Sequence, residues 1–204
     1  IVECKLVDLY LDPEVVGQYF KGPKHGITGI REYVKVPDRP LFGGIIKPKS
    51  GINTQQLLDM TKELVEGGVN FIKEDEILSN PSICPLEERV PLIANYLQGK
   101  NVVYSFCINS DPLYVLDRAR FVANNGGNSV HVNVWSGLGV YKSIRDLDTD
   151  LFIHYQKSGE AAFSSPRNPY GIDWDVLCYL AGLSGVDFIP VSYTHLTLPT
   201  IYSV

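Results

Sequence analysis

A chain of 204 residues, 45% hydrophobic and 20% charged, carries enough apolar content for one sizeable core. Its formal net charge of −5 argues against a nucleic-acid backbone or an anionic membrane as the main partner. No apolar run approaches the roughly 18 to 20 residues of a membrane helix, and the N-terminus lacks a basic-then-apolar signal, so a cytoplasmic protein is expected. Cys4, Cys84, Cys107 and Cys178 are scattered, with no Cys-x-x-Cys pair. They read as reduced thiols, each a small buried hydrophobe, and not as a disulfide framework or zinc site. The first residues, Ile-Val-Glu-Cys, carry no initiator methionine, and the chain reads as part of a longer one.

In chain order, residues 1–38 form a lead-in with one apolar segment, Val2 to Leu11, followed by Gly22, Pro23, Gly26 and Gly29. From Leu41 onward short apolar strands alternate with helix-length segments, the signature of a parallel sheet or barrel. The expected strands are Gly43–Ile46, Val69–Ile72, Val102–Phe106, Val130–Val134, Leu151–Ile153 and Val186–Ile189. Between them, Asn53 or Thr54 caps a helix whose Leu57, Thr61, Leu64 and Val65 recur at helical spacing, and Gly67 and Gly68 close it. Leu86, Val90, Ile93 and Leu97 form a second stripe, which Pro91 either kinks or truncates. Asp111-Pro112 opens a third helix that Gly126-Gly127 ends, and Asp173 caps a fourth. The pattern alone gives an α/β fold, either doubly wound or a (β/α)8 barrel. No Gly-x-Gly-x-x-Gly follows the first strand, which weakens dinucleotide binding. Residues 39–190 make up this regular part, and the last fourteen, 191–204, break its rhythm.

The densest chemistry lies in Gly67-Gly68-Val69-Asn70-Phe71-Ile72-Lys73-Glu74-Asp75-Glu76. Strand alternation sends Lys73 and Asp75 to one side, with Glu76 just beyond. Carboxylates at the end of a buried strand are costly unless paired or bound to a metal, and two of them suit a hard cation such as Mg2+. The competing reading is a solvated loop with local ion pairs.

Ile72-Lys73-Glu74-Asp75-Glu76 resembles the signature of the RuBisCO large-chain family. Arg39-Pro40-Leu41-Phe42-Gly43-Gly44-Ile45-Ile46-Lys47-Pro48-Lys49 is similar to that family's strand-end lysine pair, and Gly22-Pro23-Lys24-His25-Gly26-Ile27-Thr28-Gly29-Ile30-Arg31 to its lead-in. Three motifs in order, within a likeness spanning about residues 4 to 189, make the match specific. It implies an incomplete (β/α)8 TIM barrel of about six strands, the family's N-terminal domain being absent. Against the family pattern, Pro190 stands where a histidine follows the strand. The tail 191–204 reads as foreign, as translated read-through past a truncated gene would, and His195 receives no role.

The resemblance further implies that Lys73 takes up CO2 as a carbamate, a reaction of the neutral amine. The carbamate, Asp75 and Glu76 would hold one Mg2+, with Glu74 pointing away. Lys47 matches the family's proton-transfer lysine and Lys49 its neighbour, a phosphate or electrostatic partner. Both share strand parity, and without the family they read equally as lysines snorkelling to water. The family's His-Arg pair after the strand at Leu151 is missing: His154 or Gln156 takes the histidine place, according to register, and Lys157 that of arginine. Asn133, at another strand end, is assigned a hydrogen bond to a ligand water, whereas His131 and His25 read as structural or surface residues. Without the family, a histidine such as His154 on an apolar strand reads as a satisfied core residue.

These departures favour a RuBisCO-like lyase or isomerase that forms an enolate from a phosphorylated keto-sugar or 3-oxo sugar-acid phosphate, decarboxylation first. Ribulose-1,5-bisphosphate carboxylation and an inactive fragment are the alternatives. The parent protein is expected to be a homodimer or higher homo-oligomer.

Overall fold

The computed structural model describes residues 2–48 and 50–190. In chain order it contains β1 (Cys4–Leu6), α1 (Pro13–Tyr19), α2 (Gly26–Val34), β2 (Gly43–Ile45), α3 (Thr54–Glu66), β3 (Phe71–Lys73), α4 (Leu86–Leu97) and β4 (Val103–Cys107). There follow α5 (Pro112–Asn124), β5 (Ser129–Asn133), a single 3-10 turn (Val134–Ser136), α6 (Leu138–Arg145), β6 (Phe152–Gln156), α7 (Ala161–Ser164), β7 (Tyr170–Ile172) and α8 (Trp174–Leu183). Strands β2-β3-β4-β5-β6 pair in sequence order, all parallel, as successive strand–helix units of a barrel wall must. The expected strand at Val186–Ile189 continues this order only as one parallel bridge, His154 to Phe188. The lead-in holds more than one apolar segment: β1 pairs with β7 in a separate two-stranded sheet, and α1 and α2 follow it.

Period-two alternation decides what the wall buries. Ile72, Tyr104, Phe106, Val130, Val132, Ile153 and Tyr155 pack outward against the helices in one cluster. Phe71, Val103 and Phe152 join a second cluster with Ile30, Val34 and Val36, where α2 closes the N-terminal end of the wall. Strand β2 is the contrast: Gly43 and Ile45 are exposed, as on a sheet edge.

The helix boundaries follow local chemistry. Asn53 Oδ1 accepts from the Gln56 amide at 2.9 Å while Gln56 Oε1 accepts from the Asn53 amide at 2.9 Å, a complete capping box on α3. Gly68, at φ 80°, supplies the left-handed residue after it. Pro91 lies inside α4, which starts at Leu86. Asp111 and Asp173 stand at N-cap positions without a side-chain capping bond, and Asp173 pairs with Lys5 at 2.5 Å. Cys84 and Cys107 are buried as expected, but Cys4 is exposed and Cys178 half-buried, because β1 and α8 lie at the periphery.

One buried junction ties the closing helix to the wall. Asp187 Oδ1 accepts from the His25 and Gly26 amides at the start of α2 (2.8 and 3.1 Å). Its Oδ2 accepts from the Ile153 amide at 2.7 Å and from Arg145 Nη2 at 2.5 Å. Arg145 also donates to the carbonyls of Gly185 and Leu151. No described helix is long and apolar enough to cross a membrane.

Candidate active site

The C-terminal ends of the parallel strands gather the charged residues, which is where barrel enzymes place their chemistry. Lys73 ends β3 at 4% exposure, and Glu74 and Asp75 behind it are 0% and 2% exposed. Such burial rules out the solvated-loop reading. Lys73 Nζ lies 3.2 Å from Glu76 Oε2, and Lys47, just past β2, makes an ion pair with Asp75 Oδ2. The Asp75 Oδ1 accepts from the Ile77 amide at 3.0 Å, which fixes the carboxylate to its own turn. Lys47, Lys73, Asp75 and Glu76 therefore converge.

Glu76 is held from three sides. Ser158 Oγ donates to Oε1 at 2.7 Å, Gln156 Nε2 to Oε2 at 3.4 Å, and Asn109 Nδ2 to the backbone carbonyl at 2.6 Å. Burial alone would raise the Glu76 pKa; the Ser158 hydroxyl, its own backbone and Lys73 outweigh it and bring the carboxyl down to about 2. A carboxyl lowered on folding contributes stability that is present above its unfolded value near 4.5 and lost as pH falls towards 2. Acid titration of the metal-free protein, followed by circular dichroism, is expected to show destabilisation across that window, reduced in Glu76→Gln.

The Asp75 bond is the main influence on Lys47, raising its pKa against a smaller loss to burial, with the charges of Asp75 and Glu76 adding to it. His131 and His154 face each other inside the wall, with ring centroids 5.3 Å apart. Burial holds both well below the usual imidazole range, with the Lys73 charge adding to it, so both are neutral. Among the described residues His154 Nδ1 has no hydrogen-bond partner. His154 is thus a core residue stacked on Phe188, though not a satisfied one, and in this register Gln156 is the residue that reaches Glu76. Lys157 sits 5.5 Å over the Trp174 ring. Asn133 Oδ1 accepts from the Trp135 amide at 2.9 Å, so that oxygen caps a turn and does not point into the site. Lys49 lies outside the described residues, as does the segment 191–204.

Glu74 points away from this group, as expected. Its carboxylate meets Arg89 Nε at 3.0 Å, the Cys107 amide at 2.8 Å and the Tyr104 hydroxyl at 3.3 Å. Sequence reasoning missed Arg89, Ser158 and Asn109. Strand parity was the available signal for the first, since it turns Glu74 toward the helices, where a buried carboxylate needs a partner. An open cleft of about 630 Å3 at the opposite end, beside His25, Tyr33 and Phe152, lies on the face where barrels carry stability and not chemistry.

The family described as ribulose bisphosphate carboxylase large chain, catalytic domain, matches residues 26–196. The chain belongs to the RuBisCO large-chain family. A 3-oxo-isoapionate-4-phosphate decarboxylase of Rhizobium etli is 36% identical over 90% of this chain and 45% of its own length. A ribulose bisphosphate carboxylase of Thermococcus kodakarensis is 34% identical over 92% of this chain and 44% of its own. Among solved structures, a rubisco-like protein from Burkholderia fungorum superposes with a TM-score of 0.82 at 32% identity, covering 89% of this chain and 46% of that one. The chain thus spans less than half the length of these RuBisCO-family relatives. The family match also reaches into the tail that the sequence pattern set apart.

Proposed function

We propose that the full-length parent is a RuBisCO-like lyase that decarboxylates a 3-oxo sugar-acid phosphate, or otherwise forms an enolate from a phosphorylated keto-sugar. The observation that carries this reading is the convergence of Lys47 and Lys73 on the paired carboxylates Asp75 and Glu76 at the strand ends. Among the described residues no three His, Cys, Asp or Glu side chains form a metal-binding group. The donor set nonetheless fits Mg2+, which takes one or two carboxylates and leaves positions to water and substrate oxygens. Lys73 would supply the third oxygen as its CO2 carbamate. Bound there, Mg2+ would act as a Lewis acid toward developing enolate charge.

The chain's own residues then divide the work. Lys47, whose ammonium form Asp75 favours in the metal-free protein, would deliver a proton to the carbon that loses CO2. Ser158 and Gln156 keep Glu76 oriented, and Ser158 and Lys73 favour its ionised form. Lys49 and Lys157 are proposed for the substrate's phosphate and acid groups, and the places of His154 and Asn133 make them weaker candidates for substrate contact. Gln156 and Lys157, standing where the resemblance expects a His-Arg pair, favour decarboxylation over carboxylation. Carboxylation of ribulose bisphosphate is the second reading, supported by similar identity to the archaeal carboxylase. The 204-residue chain alone is proposed to be inactive, because exposed Gly43 and Ile45 on β2 leave that edge of the wall open.

Product analysis separates the two. The full-length protein with Mg2+ and bicarbonate is expected to release CO2 from 3-oxo-isoapionate 4-phosphate and to fix none onto ribulose bisphosphate; the reverse result favours the carboxylase. Ser158→Ala is expected to weaken Mg2+ binding about 10- to 100-fold, the usual cost of losing an outer hydrogen bond to a ligand. Calorimetric titration of the full-length protein checks it.

A further inference from the structure

We infer that Arg89 is the positioning residue for the turn that carries Asp75 and Glu76, an inference resting on the metal-site reading above. Arg89 lies in α4, fully buried, and its hydrogen bonds among the described residues go to Glu74 and to four backbone carbonyls, none of them from the four converging residues. Its guanidinium instead closes the turn from behind. Nε donates to both Glu74 oxygens (3.0 and 3.2 Å), anchoring the residue just before Asp75. Nη2 donates to the carbonyls of Leu78 (2.9 Å) and Ser79 (2.8 Å), anchoring the residues just after Glu76. It also reaches the Cys107 carbonyl at 3.1 Å, and Nη1 reaches that of Cys84 at 2.7 Å. One planar group thereby fixes both ends of a segment whose middle presents the two carboxylates.

The geometry is specific to arginine. A lysine could keep the charge opposite Glu74, but its single ammonium cannot serve Glu74 and four carbonyls on diverging vectors. Other bonds hold single points: the Cys107 amide and the Tyr104 hydroxyl reach Glu74 but no residue beyond Glu76. Asn109 grips the Glu76 carbonyl and Arg118 the Ser79 hydroxyl (2.8 Å), yet neither touches residues 74 or 78. A structural ion pair elsewhere in the wall would set stability alone. Arg89 is placed to set the relative position of two ligands as well.

The test uses Arg89→Lys in the full-length protein, compared with wild type and with Asp75→Asn. Two quantities are read: Mn2+ affinity in bicarbonate by paramagnetic titration, and hydrogen exchange of amides 74–79 without metal. The expected result is a folded, cooperatively melting variant with faster exchange confined to that turn and Mn2+ affinity down about 10- to 100-fold, the scale typical of outer partners. Lower stability with affinity and turn exchange unchanged would overturn the inference and leave Arg89 a purely structural residue. If wild type itself binds no Mn2+, or Asp75→Asn binds as well as wild type, the metal reading fails, and the inference fails with it. If Arg89→Lys does not fold, Glu74→Gln is read instead; it keeps the shape and weakens the Arg89 anchor, and the same two outcomes decide.

Discussion

Lys73→Ala in the full-length protein is expected to abolish Mg2+-dependent turnover, lowering kcat/KM by about 10^3-fold or more, the scale for removing a group on which transition-state charge stabilisation depends. The side chain ends β3 almost without solvent exposure and meets Glu76, so a carbamate formed on it would stand beside that carboxylate. The fold should survive, because the wall around β3 is held by its ladders to β2 and β4 and by the outward packing of Ile72. Ser158 and Gln156 would still hold Glu76. Steady-state kinetics beside a thermal melt decide the matter: native-like melting with undiminished turnover would remove Lys73 from the chemistry.

The largest effect on stability is expected from Asp187→Ala. The carboxylate caps the first turn of α2, accepts from the Ile153 amide and neutralises buried Arg145. Removing one partner of a buried pair leaves the other charge uncompensated, at a cost of about 3 to 5 kcal/mol. Urea unfolding is expected to show that loss. By comparison, Asp146→Ala breaks pairs with Lys21 and Lys142 whose side chains are all substantially exposed. Its cost should stay below about 1 kcal/mol. Similar costs for the two would mean that the Asp187 junction does not hold α2 against the wall.

What the sequence made legible, and what it hid, divides along physical lines. The strands of the wall were readable because parallel strands are buried on both faces and appear as short apolar runs between capped helices. Asn53 with Gln56, and Gly67 with Gly68, signalled their helix ends through local hydrogen bonding alone. Helices α1 and α2 were not readable: α1 buries no residue, and α2 follows glycines and a proline that signal a turn. The Val186–Ile189 strand looked equal to the others, yet its pairing rests on a single bridge beside Asp187.

At the candidate site, Lys73, Asp75 and Glu76 lie close in sequence, so spacing drew attention to them, and the family resemblance, not spacing, favoured a metal site over a solvated loop. The residues that orient them come from distant elements. Ser158 is brought to Glu76 by the turn after β6, where Gly159, at φ 80°, has no room for a Cβ against the Trp135 indole nitrogen. No spacing rule predicts that approach. For His154 the resemblance left the histidine place open between it and Gln156, and alternation sets it one layer below Gln156, against Phe71 and Phe188.

The most direct test of the account is whether Lys73 takes up CO2 when metal is present. The full-length protein incubated with 13C-bicarbonate and Mg2+ is expected to give a carbamate resonance in 13C NMR that requires the metal and is absent in Lys73→Arg. A signal that persists in Lys73→Arg, or tight Mg2+ binding by wild type with no carbamate signal, would contradict it.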